Sequence, residues 1–155
     1  MKWQVCHFSG ELHRGYDMDA VVMAGGLGLR LGMGEKPCIQ LLGKYLITYV
    51  IDALDKAEHI DRIFVAVSPA TPNTETVVLK HYGGRIKVIR TPGGNYVGDM
   101  VHAVETAGIL EPVLIIMSDL PLITPELIDS IIDEYNKCGT PALSVHVPIS
   151  LCRSL

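Results

Sequence analysis

The sequence predicts an α/β domain in which a mostly parallel sheet carries helices on both faces. Three observations favour this class. The chain has 155 residues, which suits a single domain, and 48% of them are hydrophobic, which is enough for a buried core. Short runs of β-branched and other apolar residues alternate with longer segments of helical period. The short runs are apolar on both faces, as expected for strands that lie between two layers of helices.

Five segments have the composition of buried strands. They are short and rich in valine and isoleucine, and helical segments separate most of them. The predicted strands are residues 19–23, 62–67, 85–89, 112–117 and 142–147. Because the carboxyl ends of parallel strands meet at one edge of a sheet, a ligand is expected at the loops that follow the first four strands.

Four segments are expected to be helices, and the last has the clearest boundaries. Thr124 is a suitable N-cap and Pro125 fits the first helical position. Glu126 adds negative charge to the first turn, and Gly139 is a suitable residue just beyond the helix end. The predicted helices are residues 46–56, 73–82, 97–107 and the one that begins after residue 124.

Composition and charge exclude several classes of protein. The net charge is −4 and the sequence pI about 5.8, so electrostatic binding to nucleic acid is not expected. The longest apolar-rich stretch, residues 110–123, is interrupted by Glu111, Ser118 and Asp119, so no membrane span is predicted. The N-terminus has no apolar segment typical of a secretory signal. The four cysteines form no CxxC pair, which favours reduced thiols and a cytoplasmic location.

The two ends of the chain depart from the pattern of the domain. Residues 1–17 show no clear period and are interpreted as an N-terminal extension, whereas residues 18–155 are assigned to the domain itself. The last predicted strand lies only a few residues before Leu155. Because an α/β domain usually covers such a strand with another element, the C-terminal part of the domain is expected to be missing.

A glycine-rich segment directly follows the first predicted strand and is the strongest candidate for a binding site. Its glycines let the backbone approach a ligand closely and turn N–H groups towards phosphate oxygens. Two cationic side chains add positive charge in an acidic chain. The segment matches neither a GxGxxG fingerprint, since Leu31 occupies the last glycine position, nor a P-loop, since Pro37 follows the lysine. The residues expected to bind the phosphates are Ala24, Gly25, Gly26, Gly28, Arg30 and Lys36.

Asp119 follows the fourth predicted strand, just after the apolar residues 113–117. A carboxylate at this position faces the ligand crevice, where a hard cation fits between it and the oxygens of a triphosphate. The alternative is a loop carboxylate that accepts a hydrogen bond from a backbone N–H. The glycine-rich loop on another strand of the same sheet favours the role of metal ligand.

The loops after the second and third predicted strands are further candidates for nucleotide binding. Ser68 and Thr71 carry hydroxyls that can read the edge of a base, although Thr71 or Asn73 serves equally well as a helix cap. Gly94 allows close approach of a ligand. Asp99 has the chemistry to accept from a guanine edge or to bind the ribose or the acceptor, and it also suits the start of a helix.

The pattern AGGxGxRxG followed by KP, from Ala24 to Pro37, resembles the nucleotidyltransferases with a GT-A-like, Rossmann-related fold. These proteins transfer a nucleoside monophosphate from an NTP onto an acceptor phosphate. The chain is more closely similar to the archaeal-type GTP:adenosylcobinamide-phosphate guanylyltransferases of cobalamin synthesis. That resemblance extends through residues 36–47, 68–74, 94–99 and 118–120. Residues 1–17 have no counterpart in the family.

The resemblance implies transfer of GMP from GTP to adenosylcobinamide phosphate with release of pyrophosphate. It implies Mg²⁺ as cofactor with Asp119 as its ligand, and Arg30, Lys36 and Asp119 as the catalytic residues. The partners that the resemblance implies are GTP and the phosphorylated acceptor, and the chain is compatible with a homodimer. Three alternatives stay open. They are a molybdenum-cofactor guanylyltransferase or sugar-phosphate nucleotidyltransferase, a truncated module that holds GTP without transferring it, and an α/β domain without a ligand.

Overall fold

A computed structural model describes residues 17–28 and 32–145, which belong to two compact units. The larger unit is Asp17–Asp129. The described part of the second unit is residues 130–145. The predicted N-terminal extension therefore lies almost entirely outside the described residues. Within the described residues, no helix combines the length and apolar composition needed to cross a bilayer.

The larger unit is built on a sheet of four parallel strands in the order β5-β4-β1-β6, beside a separate two-stranded hairpin. The strands are β1 (Met18–Met23), β2 (Gln40–Leu41), β3 (Lys44–Tyr45), β4 (Ile60–Val67), β5 (Lys87–Arg90) and β6 (Val113–Met117). In the central strand, Val21 lies opposite Phe64 of β4 on one side and opposite Ile115 of β6 on the other. The predicted parallel sheet is confirmed, and the predicted bounds of its four strands are within two residues of those observed.

Helices cover both faces of this sheet. They are α1 (Leu46–Leu54), α2 (Pro72–Tyr82) and α3 (Tyr96–Ala107). A fourth helix, α4 (Pro125–Cys138), begins in the larger unit and ends in the second unit. Val21, Phe64 and Ile89 project from one face into a core cluster that includes Ala103 of α3. The alternate strand residues, such as Val22, point to the opposite face. The helices α1 and α2 contact β1, β4 and β5 and contribute nothing to that cluster, so they lie on the opposite face.

The start and the end of α4 follow the predicted signals. The hydroxyl of Thr124 accepts a hydrogen bond from the N–H of Leu127 at 3.3 Å, and the Thr124 carbonyl accepts from the N–H of Ile128 at 3.1 Å. Pro125 is the first helical residue. Gly139 follows the helix with φ of 60°, the left-handed conformation that favours glycine.

The predicted strand at residues 142–147 is wrong for the part that the structure describes. Residues 142–145 form no strand and are largely exposed, and residues 146 and 147 lie outside the described residues. Instead, the Thr140 hydroxyl donates locally to the carbonyl of Ala142 at 3.1 Å. A strand requires hydrogen bonds to a neighbouring strand, and composition alone does not supply that neighbour. The hairpin β2–β3 was not predicted, because two residues per strand carry no detectable period.

Candidate active site

The order of the strands creates a crevice at the carboxyl ends of β1 and β6. After β1, the sheet grows in one direction through β4 and β5, and the chain then returns to add β6 on the other side of β1. Such a reversal of strand order is where open α/β sheets bind ligands. The glycine-rich loop follows β1, and Ser118 follows β6 with its N–H donating to the carbonyl of Met23 at 3.3 Å. The two strongest predicted segments therefore meet at one edge.

The glycine-rich loop folds back on itself and returns Lys36 to its starting point. Leu27 and Glu35 form an isolated antiparallel bridge. The N–H of Gly28 donates to the carbonyl of Gly34 at 2.8 Å, and the N–H of Lys36 donates to the carbonyl of Gly26 at 3.2 Å. Lys36 thus lies beside the first glycines of the loop. Arg30 lies outside the described residues, so its expected contact with phosphate stays a prediction.

The predicted phosphate-binding residues at the start of the loop divide into packed and open positions. Ala24 is fully buried and continues the pairing of β1 with β4, since its N–H donates to the carbonyl of Ala66 at 2.8 Å. A Cβ at Gly25 would lie 3.1 Å from the Cβ of Ser68, and a Cβ at Gly28 would lie 3.1 Å from the carbonyl oxygen of Gly34. Gly26 is exposed and a Cβ there would meet nothing within 4 Å. Of Gly25, Gly26 and Gly28, it is therefore Gly26 that has open space for a ligand.

Lys36 and Asp119 form an ion pair across the crevice. The ammonium group of Lys36 contacts Oδ2 of Asp119, which joins the end of the glycine-rich loop to the end of β6. Both side chains remain partly accessible, with 41% and 21% of their surfaces exposed. Among the described residues, the contact that the Asp119 carboxylate makes is this ion pair with Lys36. The capping alternative for Asp119 thus has no support in its contacts.

The residues around Asp119 fit a divalent cation only when further oxygen ligands are present. In the part of the chain that the structure describes, no three His, Cys, Asp or Glu side chains converge to hold a metal ion. Mg²⁺ is commonly bound through one or two carboxylates together with substrate phosphates and water. A single carboxylate facing the crevice suits a cation that arrives with a polyphosphate.

Ser68 and Thr71 use their hydroxyls within the protein. The Ser68 hydroxyl donates to the carbonyl of Gly25 at 3.0 Å, which ties the loop after β4 to the glycine-rich loop. The Thr71 hydroxyl accepts from the N–H of Ser68 at 3.1 Å, and its side chain makes no capping hydrogen bond to α2. Both residues are buried. Their contacts indicate that they shape the loop, and their expected role in nucleotide binding stays a prediction.

The loop after β5 is exposed and held by short side-chain contacts. Asn95 is the N-cap of α3 and accepts from the N–H of Gly98 at 2.8 Å. Oδ1 of Asp99 accepts from the N–H of Gly93 at 2.8 Å, so one of its oxygens is already engaged. Gly94 is exposed, and a Cβ there would meet nothing within 4 Å. The expected nucleotide contacts of Gly94 and Asp99 stay predictions.

Glu35 is an element of the site that the sequence analysis missed. Its buried carboxylate accepts hydrogen bonds from the backbone N–H groups of Asn73 and Thr74 at 2.9 and 2.7 Å. Burial alone would raise the pKa of Glu35, but the hydrogen bonds from Thr74 and Asn73 outweigh it and lower the pKa. The only sequence signal was an acidic residue beside Lys36 in a loop that otherwise carries positive charge.

Solved structures of nucleotidyltransferases share this architecture. A nucleotidyl transferase from Methanothermobacter thermautotroptrophicus superimposes with a TM-score of 0.61 at 20% identity, covering 77% of this chain and 58% of the other. The 4-diphosphocytidyl-2C-methyl-D-erythritol synthase from Anaerococcus prevotii superimposes with a TM-score of 0.60 at 21% identity, covering 79% of this chain and 52% of the other. The sheet thus has the Rossmann-like fold that these nucleotidyltransferases share.

Sequence comparison defines the family within that class. The model of the MobA-like NTP transferase domain matches residues 20–148, and the chain belongs to this family. It is 40% identical over 138 residues to the adenosylcobinamide-phosphate guanylyltransferase of Methanocaldococcus jannaschii, covering 84% of this chain and 69% of the relative. It is 36% identical over 125 residues to the probable molybdenum cofactor guanylyltransferase of Thermococcus gammatolerans, covering 81% of this chain and 60% of the relative. The resemblance predicted from the motifs is confirmed.

Proposed function

We propose that the chain transfers GMP from GTP to adenosylcobinamide phosphate and releases pyrophosphate. The observation that carries this proposal is the meeting of the glycine-rich loop, Lys36 and Asp119 at the reversal of strand order. The choice of guanine and of the acceptor rests on the 40% identity to the adenosylcobinamide-phosphate enzyme. A cytoplasmic location and a homodimer accompany the proposal as expectations.

The residues of the crevice suit in-line transfer. An oxygen of the acceptor phosphate forms a bond to the α-phosphorus of GTP, and the bond from that phosphorus to the β-phosphate oxygen breaks, so that pyrophosphate leaves with the electron pair. The open backbone at Gly26 approaches the phosphates, while Lys36 and Arg30 offset their negative charge. Asp119 would hold Mg²⁺, which would supply further positive charge to offset the negative charge of the phosphates. No protein nucleophile takes part.

A molybdenum-cofactor guanylyltransferase is the second candidate function. It is favoured by the relative from Thermococcus gammatolerans, which is 36% identical. The two candidates share GTP, the divalent cation and the chemistry at the α-phosphorus, and they differ in the acceptor. Pyrophosphate release measured with each acceptor in turn distinguishes them, because only the true acceptor supports turnover. Binding of GTP without release of pyrophosphate for any acceptor indicates a module that holds the nucleotide.

The Asp119→Asn variant tests the proposed mechanism. The change keeps the size of the side chain and removes the charge that would hold the cation, while the loop and Lys36 remain. Transfer is expected to fall by about 10²–10⁴ and GTP affinity only modestly. The matched control is Asp61→Asn, which removes an exposed carboxylate at the amino end of β4. Mg²⁺-dependent pyrophosphate release near the parent rate in Asp119→Asn would place the metal elsewhere.

A further inference from the structure

Glu35 joins the glycine-rich loop to a helix that follows a different strand. Besides the two backbone N–H groups at the start of α2, its carboxylate accepts from the side-chain amide of Asn73 and the hydroxyl of Thr74, each at 2.7 Å. Cys38 approaches the same carboxylate with its sulfur at 3.8 Å. Glu35 is only 8% exposed. Four close donors from two adjacent residues therefore converge on one buried carboxylate.

Glu35 does for α2 what an N-cap side chain normally does. Thr71 occupies the N-cap position but turns its hydroxyl towards Ser68. Pro72, the first helical residue, has no N–H to satisfy. The next two N–H groups, those of Asn73 and Thr74, are satisfied by Glu35 from outside the helix. A carboxylate at this end also complements the positive end of the helix dipole.

The backbone of Glu35 belongs to the returning arm of the glycine-rich loop. Its bridge to Leu27 aligns the two arms, and Lys36 is the next residue in the chain. The 3₁₀ turn Lys36–Cys38 starts immediately afterwards, and Pro37 within it is buried. The side chain of Glu35 therefore links the returning arm of the loop, next to Lys36, to the start of α2.

We propose that Glu35 is a positioning residue, which fastens the returning arm of the glycine-rich loop to α2 so that Lys36 and the loop N–H groups are held in place before the nucleotide binds. The proposal rests on the proposed function for the identity of that nucleotide. A loop ordered in advance does not have to be ordered by the ligand, and this raises affinity. Glu35 also occupies the N-terminus of α2, so the phosphates bind at the glycine-rich loop rather than at that helix end.

The Glu35→Gln variant tests this proposal. The amide keeps the size of the side chain but turns an NH₂ group towards N–H and O–H donors. At least some of the hydrogen bonds that Glu35 accepts from α2 are therefore lost. The matched control is Glu75→Gln on the same helix, where the carboxylate pairs with Arg90 at the surface. GTP affinity is measured by titration at a temperature where both variants are folded. Amide exchange of Gly28 and Lys36, whose N–H groups close the loop, is compared with exchange in β1 and β4.

Glu35→Gln is expected to weaken GTP binding and loop-amide protection each by about tenfold, as expected for the loss of hydrogen bonds to a charged group. Protection in β1 and β4 and the affinity of Glu75→Gln should be unchanged. Asn73→Ala removes one of the four donors and should show the same pattern with a smaller loss. Unchanged loop protection in Glu35→Gln, or an equal loss throughout the sheet, overturns the proposal.

The exchange measurement decides this proposal separately from the proposed function. A parent chain that binds no GTP would overturn the proposed function. Selective loss of protection at Gly28 and Lys36 in Glu35→Gln would still support the fastening by Glu35. If the parent binds GTP and Glu35→Gln binds it equally well with an intact loop, the proposed function stands and the positioning role fails.

Discussion

A substitution at Gly26 can test contact with a ligand without disturbing the packing of the glycine-rich loop. A side chain at Gly26 meets open space, whereas a side chain at Gly28 meets the carbonyl of Gly34. Gly26→Leu is therefore expected to abolish GTP binding while leaving the circular dichroism spectrum and the melting temperature of the parent. The matched control is Gly84→Leu, an equally open glycine in the 3₁₀ turn after α2. GTP affinity in Gly26→Leu equal to that of the control would exclude this loop from the phosphate site.

Glu35 should make the stability of the protein sensitive to acid. Its pKa in the folded protein is lower than its ordinary value of 4.5. The carboxylate therefore stabilises the fold above pH 4.5, and this contribution is lost as the pH falls through the lowered pKa. Urea unfolding from neutral pH down to about pH 3 should show a steeper loss of stability for the parent than for Glu35→Gln.

Asp52 is the control for this acid dependence. Burial raises the pKa of Asp52, but the hydrogen bonds from Lys44 and Tyr82 outweigh it, so its pKa is also lowered and it contributes in the same direction. Because both chains retain Asp52, the difference between their pH profiles isolates Glu35. Parallel profiles would mean that Glu35 has the same pKa in the folded and unfolded chains.

Residue spacing predicts some parts of the site and not others. Lys36 and Asp119 stand out because each follows a recognisable strand or loop, and parallel topology then brings them together. The role of Glu35 depends on Asn73, which is 38 positions away, and on Thr71 turning away from its own helix. Nothing in the local sequence predicts such contacts, because they arise only when two loops at the same sheet edge pack together.

The hairpin β2–β3 contains a backbone position that suits its residue poorly. Leu42 and Gly43 form its two-residue loop, with φ of 52° and 79°. Positive φ at both positions favours Asn-Gly, and leucine is strained in this conformation. Leu42 is 93% exposed, so its replacement loses little packing. Leu42→Asn is expected to raise the free energy of unfolding by about 1 kcal/mol, measured by chemical denaturation.

Leu110→Asn is the matched control for that measurement. Leu110 is 96% exposed, and its φ is not positive. Its replacement removes the same apolar surface from water without relieving backbone strain, so little change in stability is expected. An equal gain in the free energy of unfolding in both variants would mean that the gain comes from replacing an exposed leucine, and not from relieving strain in the turn.

Secondary structure elements with a neighbour in the core were predictable, and those that depend on one or two contacts were not. The four parallel strands and four helices follow from runs of apolar residues that fill a layered core. For α1, the predicted end at residue 56 overran Leu54, because helical spacing continues in the sequence after the last helical hydrogen bonds. The run 142–145 shows the limit of composition, since three of its four residues are apolar and yet the run is largely exposed.

The whole molecule should be stabilised by its nucleotide. GTP with Mg²⁺ at about a hundred times its dissociation constant adds roughly 2.7 kcal/mol to the folded state, which raises the melting temperature by about 5–11 °C. CTP at the same concentration is expected to give a smaller shift, because the proposed site prefers guanine. Thermal unfolding followed by fluorescence or circular dichroism measures both shifts. Equal shifts with GTP and CTP would contradict the guanine preference and indicate a site that binds nucleoside triphosphates in general.

The central position of β1 has a consequence for synthesis of the chain. One side of β1 pairs with β4, but the other waits for β6, whose residues lie about 90 positions later. At about 5–20 residues per second, the ribosome needs roughly 5–20 seconds to make that stretch. During this interval the edge of β1, with its apolar sequence Met18–Met23, stays without a partner on one side. Nascent chains are thus most exposed to aggregation, and most dependent on chaperones, before Val113–Met117 emerges.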